Sequence, residues 1–243
     1  MSSTNQAKIH GSPGEGARNA GLLRTVGPLL AVAFAGVYAL GALVRAPSRP
    51  VAAALLVGMA VGLLAGVRFW RVRVGAFFKG AEGEETVGRA LAALPAGWHV
   101  FHGLNAGGGV GMWRRGDIDH AVAGPGGVFA IETKNWSGRI EAADERIVLD
   151  GAAPRRSPTA QARAAADALR ATLARGGMRG IEPVPVLCFA GDGWDRGPAS
   201  VDGVVVCRVE ALAAALAAAA RGRPETTVDV PRAAAILERA RAA

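Results

Sequence analysis

Asp117-Ile-Asp-His-Ala-Val-Ala-Gly-Pro-Gly-Gly-Val-Phe-Ala-Ile-Glu-Thr-Lys134 consists of two largely apolar runs on either side of a turn. Gly124-Pro-Gly-Gly127 supplies the turn chemistry, so residues 117–123 and 127–133 are predicted to be the antiparallel strands of one hairpin. With the arms symmetric about the turn, Asp119 stands opposite Glu132. Side chains alternate along a strand, so Glu132 and Lys134 share one face and Ile131 and Thr133 the other. Two carboxylates and a lysine are thereby expected to converge. His120 faces away from Asp119 and is expected to be structural, and Asp117 to be a solvated strand end.

That combination suits phosphodiester hydrolysis. Two carboxylates, Asp119 and Glu132, hold a hard cation such as Mg²⁺ (or Mn²⁺), which keeps several waters and binds phosphate oxygens. Such a metal acidifies a bound water and stabilises charge on phosphate oxygens, and Lys134 is placed to orient the attacking water or counter developing charge. An exposed, salt-bridged strand face would also show Glu132 and Lys134, so the neighbouring elements matter.

Outward from the hairpin, residues 81–94 read as a helix with Val87, Leu91 and Leu94 on one face, and residues 98–104 as a strand. Residues 139–149 hold one or two short strands. Residues 158–175 form a helix with Pro158 in its first turn and Gly176-Gly177 at its end. Strands follow at 184–190 and 203–207, and helices at 209–220 and 231–242. The order α-β-β-β-α-β, then β-α-α, gives an α/β fold: a mixed sheet flanked by helices. Glu84 heads the apolar stripe of the first helix, and Gln161 heads the stripe Ala165, Leu169, Leu173 of the next. Polar groups at the head of buried stripes need partners, and a metal–phosphate site would supply them.

The N-terminal third differs in kind. Residues 26–44 and 51–67 are apolar all round and free of charge, near the ~20 residues that cross a bilayer. Arg45-Ala-Pro-Ser-Arg-Pro50 breaks them apart. A transmembrane helical hairpin is predicted, with Gly36, Gly41, Gly58, Gly62 and Gly66 allowing close helix approach. The long leader and the second apolar run argue against a signal peptide. The positive-inside bias, from Lys8, Arg18 and Arg24 before the hairpin and Arg68, Arg71, Arg73 and Lys79 after it, puts both ends in the cytoplasm. Residues 1–24 are then a disordered cytoplasmic tail, 25–79 the hairpin with its basic juxtamembrane segment, 80–207 the catalytic-type domain and 208–243 a helical extension.

The net charge of +8 carries no evidence for a polyanion partner. Residues 1–79 hold nine Lys and Arg against one acid, Glu15, whereas residues 80–243 hold 19 basic and 19 acidic groups. Any nucleic-acid contact must be a local cluster, and Arg114 and Arg115, beside Trp113 and the Gly-rich loop at 107–111, are candidates. That loop lacks the Lys-Ser/Thr and following helix of a P-loop. Cys188 and Cys207 lie in apolar runs without metal-ligand spacing, which reads as two buried thiols.

Gly83-Glu84, Ile118-Asp119-His120 with the following Gly124-Pro-Gly-Gly-Val-Phe129, Ile131-Glu-Thr-Lys-Asn-Trp-Ser-Gly138 and Pro158-x-x-Gln161 together resemble the successive motifs of the nuclease-related (NERD) domain family, over about residues 80–190. One departure is Ser157, where the family pattern has Asn. The family is related to PD-(D/E)xK nucleases, so the resemblance implies a restriction-endonuclease-like αβββαβ core, with Asp119, Glu132, Lys134, Glu84 and Gln161 at the site. The expected activity is Mg²⁺-dependent cleavage of DNA or RNA by a multi-pass protein anchored in the cell membrane through residues 26–67. The alternative is a catalytically silent scaffold that uses the same fold to bind nucleic acid or a protein.

Overall fold

A computed structural model of the protein describes residues 5–45, 48–105, 117–221 and 228–242. Its elements are β1 (Lys8–His10), α1 (Glu15–Val44), α2 (Arg49–Ala92), β2 (His99–Asn105), β3 (Asp117–Gly124), β4 (Gly127–Lys134), β5 (Ile140–Ala143), β6 (Arg146–Leu149), α3 (Pro158–Arg175), β7 (Val184–Phe189), β8 (Ala199–Val201), β9 (Val204–Arg208), α4 (Leu212–Arg221) and α5 (Val230–Ala242). They divide into two units, one of Met1–Glu15 with Gly80–Ala243 and one of Gly16–Lys79.

In the first unit a mixed sheet has the order β1-β2-β3-β4-β7-β9-β8, and β5–β6 is a separate hairpin. The β3–β4 register runs from Gly124↔Gly127 to His120↔Ile131, the symmetric pairing expected of the turn. Gly127 takes φ 136°, open only to glycine. Gly124 lies under the Trp98 ring, where a β-carbon would collide with the indole.

Alternation along β4 sorts the core onto two faces. Val128 and Ala130 pack with Leu169 and Leu173 of α3 and Leu237 of α5. Phe129 and Ile131 pack with Val87 and Leu91 of α2 and Leu212 and Leu216 of α4. A third cluster holds β5–β6 against β7 and β9 around Trp194, which is fully buried and stacks on Phe189. Cys188 and Cys207 are buried free thiols on paired strands.

Several expectations change. The tail at residues 1–24 is not wholly disordered: Lys8–His10 is a strand paired parallel with β2, because the outer edge of β2 offers free ladder groups. The helix expected at 81–94 is the end of α2, which runs unbroken from Arg49 because nothing between Val67 and Gly80 interrupts the backbone pattern. β8 was not foreseen; it is three residues long and paired only with β9. Of the five glycines expected between the apolar helices, only Gly66 meets the other helix, at Val32. Gly36, Gly58 and Gly62 face open space, and Gly41 has only Arg45 of its own helix nearby.

His120 pairs with His102, Nδ1 to Nδ1 at 2.7 Å, with the rings edge to face. Burial pushes His102 down to about 4 and His120 well below its ordinary value, helped by His102. Both are neutral at pH 7, and one donates to the other, as suits a structural pair.

A methyl group at Gly124 has to displace Trp98, so Gly124→Ala is expected to lower stability by about 1–3 kcal/mol. Gly75→Ala, on a helical position with open space around it, should be neutral or gain up to ~1 kcal/mol. Urea unfolding of the two variants checks the contrast, and equal stabilities would contradict it.

Candidate active site

The two central strands part at the residues of interest. The β3–β4 ladder ends at His120↔Ile131, yet β3 continues beside β2 to Asn105↔Asp117 and β4 continues beside β7 to Lys134↔Phe189. At the parting, Asp119 Oδ2 accepts the Thr133 N–H at 2.8 Å, so a carboxylate takes the place of a backbone partner. Beside it on β2, Gly103 lies between the paired residues His102 and Leu104 with φ 61°.

Glu132 and Lys134 lie on one face of β4 and touch through Glu132 Oε1 and Lys134 Nζ. Glu132 is buried and Lys134 half-buried. Lys134 Nζ also donates to Gln161 Oε1 at 3.2 Å, and Gln161 Nε2 donates to the Ser157 carbonyl at 3.1 Å. Gln161 is thus held at both ends, between the strand lysine and its own helix start. Ser157 caps α3 by accepting the Ala160 N–H on Oγ at 3.2 Å. Serine serves this role as well as the expected asparagine would.

Glu84 reaches the site from α2. A β-carbon on Gly83 would lie 2.7 Å from Asn135 Cβ, so glycine lets this turn of α2 press onto the end of β4. Glu84 Oε2 accepts the Gly14 N–H at 3.2 Å. Loss of hydration raises the pKa of Asp119 well above the usual carboxylate range, and the charges of Glu132 and Glu84 add to the effect. The Thr133 N–H and Lys134 oppose it. Glu132 and Glu84 both crowd the Asp119 carboxylate, and Lys134 offsets that in part.

Among the described residues, no group of three or more His, Cys, Asp or Glu side chains is disposed around a common metal position. Each carboxylate instead has a protein donor: Thr133 N–H, Lys134 and Gly14 N–H. The donor set still fits a hydrated hard cation, since Mg²⁺ needs only one or two carboxylates when water and phosphate supply the rest.

The Trp136-Ser-Gly138 stretch after Lys134 is a tight loop, with Asp150 Oδ1 accepting the Arg139 N–H at 2.8 Å. Asp192 pairs with Arg208 at 2.9 Å. Arg114 and Arg115 lie outside the described residues. Sequence reasoning missed the Thr133 amide and Gly14, because backbone donors leave no residue-type signature.

Residues 79–190 match the model of the NERD family, described as the nuclease-related domain. Comparison with curated proteins and with solved structures gave no match. The matched segment takes in Glu84, Asp119, Glu132, Lys134 and Gln161, and over these residues the chain is similar to the nuclease-related domain.

Proposed function

We propose that this chain is a membrane-anchored, divalent-metal-dependent phosphodiesterase that cleaves DNA or RNA at the cytoplasmic face, with a restriction-endonuclease-like core. The observation that carries the reading is Lys134 Nζ, held between Glu132 and Gln161 beside a second, crowded carboxylate, Asp119. Repelling carboxylates next to a fixed ammonium are costly to keep in a merely structural site. They are useful where a cation and a phosphate are to be bound.

In this reading Asp119 and Glu132 would hold Mg²⁺ or Mn²⁺, which would supply Lewis acidity toward the phosphodiester and lower the pKa of a bound water. Lys134 orients the attacking water and offsets negative charge as it builds on the phosphate oxygens. Gln161 gives the ammonium a second acceptor and so fixes its direction. Glu84 completes the metal or water network. Arg114 and Arg115 are proposed to contact the phosphate backbone.

Support for the anchor comes from α2, where Pro50–Arg68 is 19 residues long, has a mean hydropathy of 2.2 and is not buried. It is long and apolar enough to cross a membrane. Leu30–Ala42 of α1 is apolar but shorter. Phe34, Tyr38, Val57 and Leu64 are exposed along both helices. We propose that residues 26–67 form the transmembrane hairpin and that the basic residues on either side keep both ends cytoplasmic. The competing reading is a non-catalytic scaffold that uses the same fold to bind nucleic acid or protein.

Detergent-solubilised full-length protein is expected to cleave plasmid DNA or RNA with Mg²⁺ or Mn²⁺. Lys134→Ala and Asp119→Ala should each lower the rate by about 10²–10³-fold. Equal cleavage by wild type and both variants would overturn the assignment. Asp119→Asn keeps an acceptor for the Thr133 N–H and removes one of three crowded charges. It should melt at or above the wild-type temperature without metal, and lose the thermal shift that Mn²⁺ gives the wild type. Calorimetry decides between the readings, since a scaffold shows no Mn²⁺ binding that depends on Asp119 and Glu132.

A further inference from the structure

Residues outside the family segment also reach the site. Ala7 N–H donates to the Leu94 carbonyl and Lys8 N–H to the Trp98 carbonyl, both at 2.9 Å. β1 then pairs parallel with β2 through Lys8↔His99, Ile9↔Val100 and His10↔Phe101. The His10 ring stacks on Phe101, with centroids 4.3 Å apart and planes 10° from parallel. Beyond β1 the backbone crosses one face of α2. Pro13 sits on Gly88, where a β-carbon would lie 2.7 Å from Pro13 Cβ. Gly14 is buried against Ala81, and its N–H meets Glu84 Oε2 at 3.2 Å. Positions 81, 84 and 88 follow helical spacing, so the segment contacts a single stripe of α2.

Gly14 is suited to this place for two reasons. Its φ is 75°, which strains any residue with a side chain, and a β-carbon would stand 3.0 Å from the Ala81 carbonyl oxygen. The amide direction that serves Glu84 therefore depends on glycine. A backbone N–H bonded to one carboxylate oxygen fixes which way the other faces, and charge-assisted bonds of this kind are stronger than neutral ones.

We propose that residues 5–14 are an integral part of the domain that holds the candidate site and that the Gly14 amide is a positioning group, fixing the orientation of the Glu84 carboxylate. The inference rests on the nuclease reading for its consequence in catalysis, and on the Gly14–Glu84 contact alone for its structural part. Residues well before the family segment thereby complete the site.

The test uses the full-length protein in detergent. Gly14→Ala is expected to lower kcat for DNA cleavage with Mg²⁺ by about tenfold to a hundredfold, with KM for DNA little changed. Lys8→Ala, an exposed side chain in the same segment, should leave both unchanged. In a Glu84→Ala background, Gly14→Ala should cost nothing more, because the two residues act as one unit. A kcat for Gly14→Ala equal to that of active wild-type protein would overturn the proposal, as would losses that multiply independently. Amide hydrogen exchange, read without substrate, separates this proposal from the nuclease reading. Glu84→Ala should speed exchange at Gly14 severalfold while the β1 amides stay protected. Unchanged exchange at Gly14 would overturn the contact even in an inactive protein. Accelerated exchange in a protein without metal-dependent cleavage would uphold the contact and refute the enzyme.

Discussion

One substitution of partners organises the domain: at the point where β3 and β4 separate, the Thr133 N–H is bonded by the Asp119 side chain and not by a strand carbonyl. A buried amide without a partner costs on the order of 1–3 kcal/mol, so the divergence of the strands and the presence of an acceptor at position 119 require each other. The carboxylate that closes the ladder is thereby carried into a desolvated position near two others. Its neighbours act on it in both senses: Glu132 and Glu84 crowd it, whereas the Thr133 N–H and Lys134 favour its charged form. Lys134 leans to Glu132, Gln161 restrains Lys134 from α3, and the glycine at position 83 brings α2 close enough for Glu84 to take part.

The hairpin was legible because the turn and the alternation both leave marks in residue type. Gly124-Pro-Gly-Gly127 fixed the symmetry axis, and the observed register follows it pair by pair. α3 was equally plain, with Pro158 and Gly176 marking its ends. Glu84 and Gln161 could be singled out because a polar residue at the head of an apolar stripe is unusual. What stayed hidden depends on backbone alone. β1 is three residues, Lys-Ile-His, with no strand signature of its own, and it exists because β2 offers it an edge. The carboxylates' present partners are likewise two main-chain amides and a lysine, none of which follows from spacing. The continuity of α2 was missed because the change in composition near Gly80 was read as a change in structure.

Charge and hydropathy speak about different parts of the chain. The basic excess lies in residues 1–79, whereas the segment matched by the family model falls almost wholly in a region with equal numbers of acids and bases. Attraction to nucleic acid over long distances is therefore weak for that region, and recognition would depend on short-range contacts. The family match and the arrangement of Asp119, Glu132, Lys134 and Gln161 rest on separate grounds, one on sequence and one on geometry.

The short strand β1 has a further consequence for how the protein is handled. It covers the outer rim of β2 at three of that strand's seven residues. A fragment begun at the first residue of the family segment would leave those ladder groups bare, beside the apolar side chains of Val100 and Phe101. Bare rims of this kind recruit strands from other molecules. Such a fragment should therefore tend toward self-association, and its poor solution behaviour would reflect an uncapped sheet, not an unstable core.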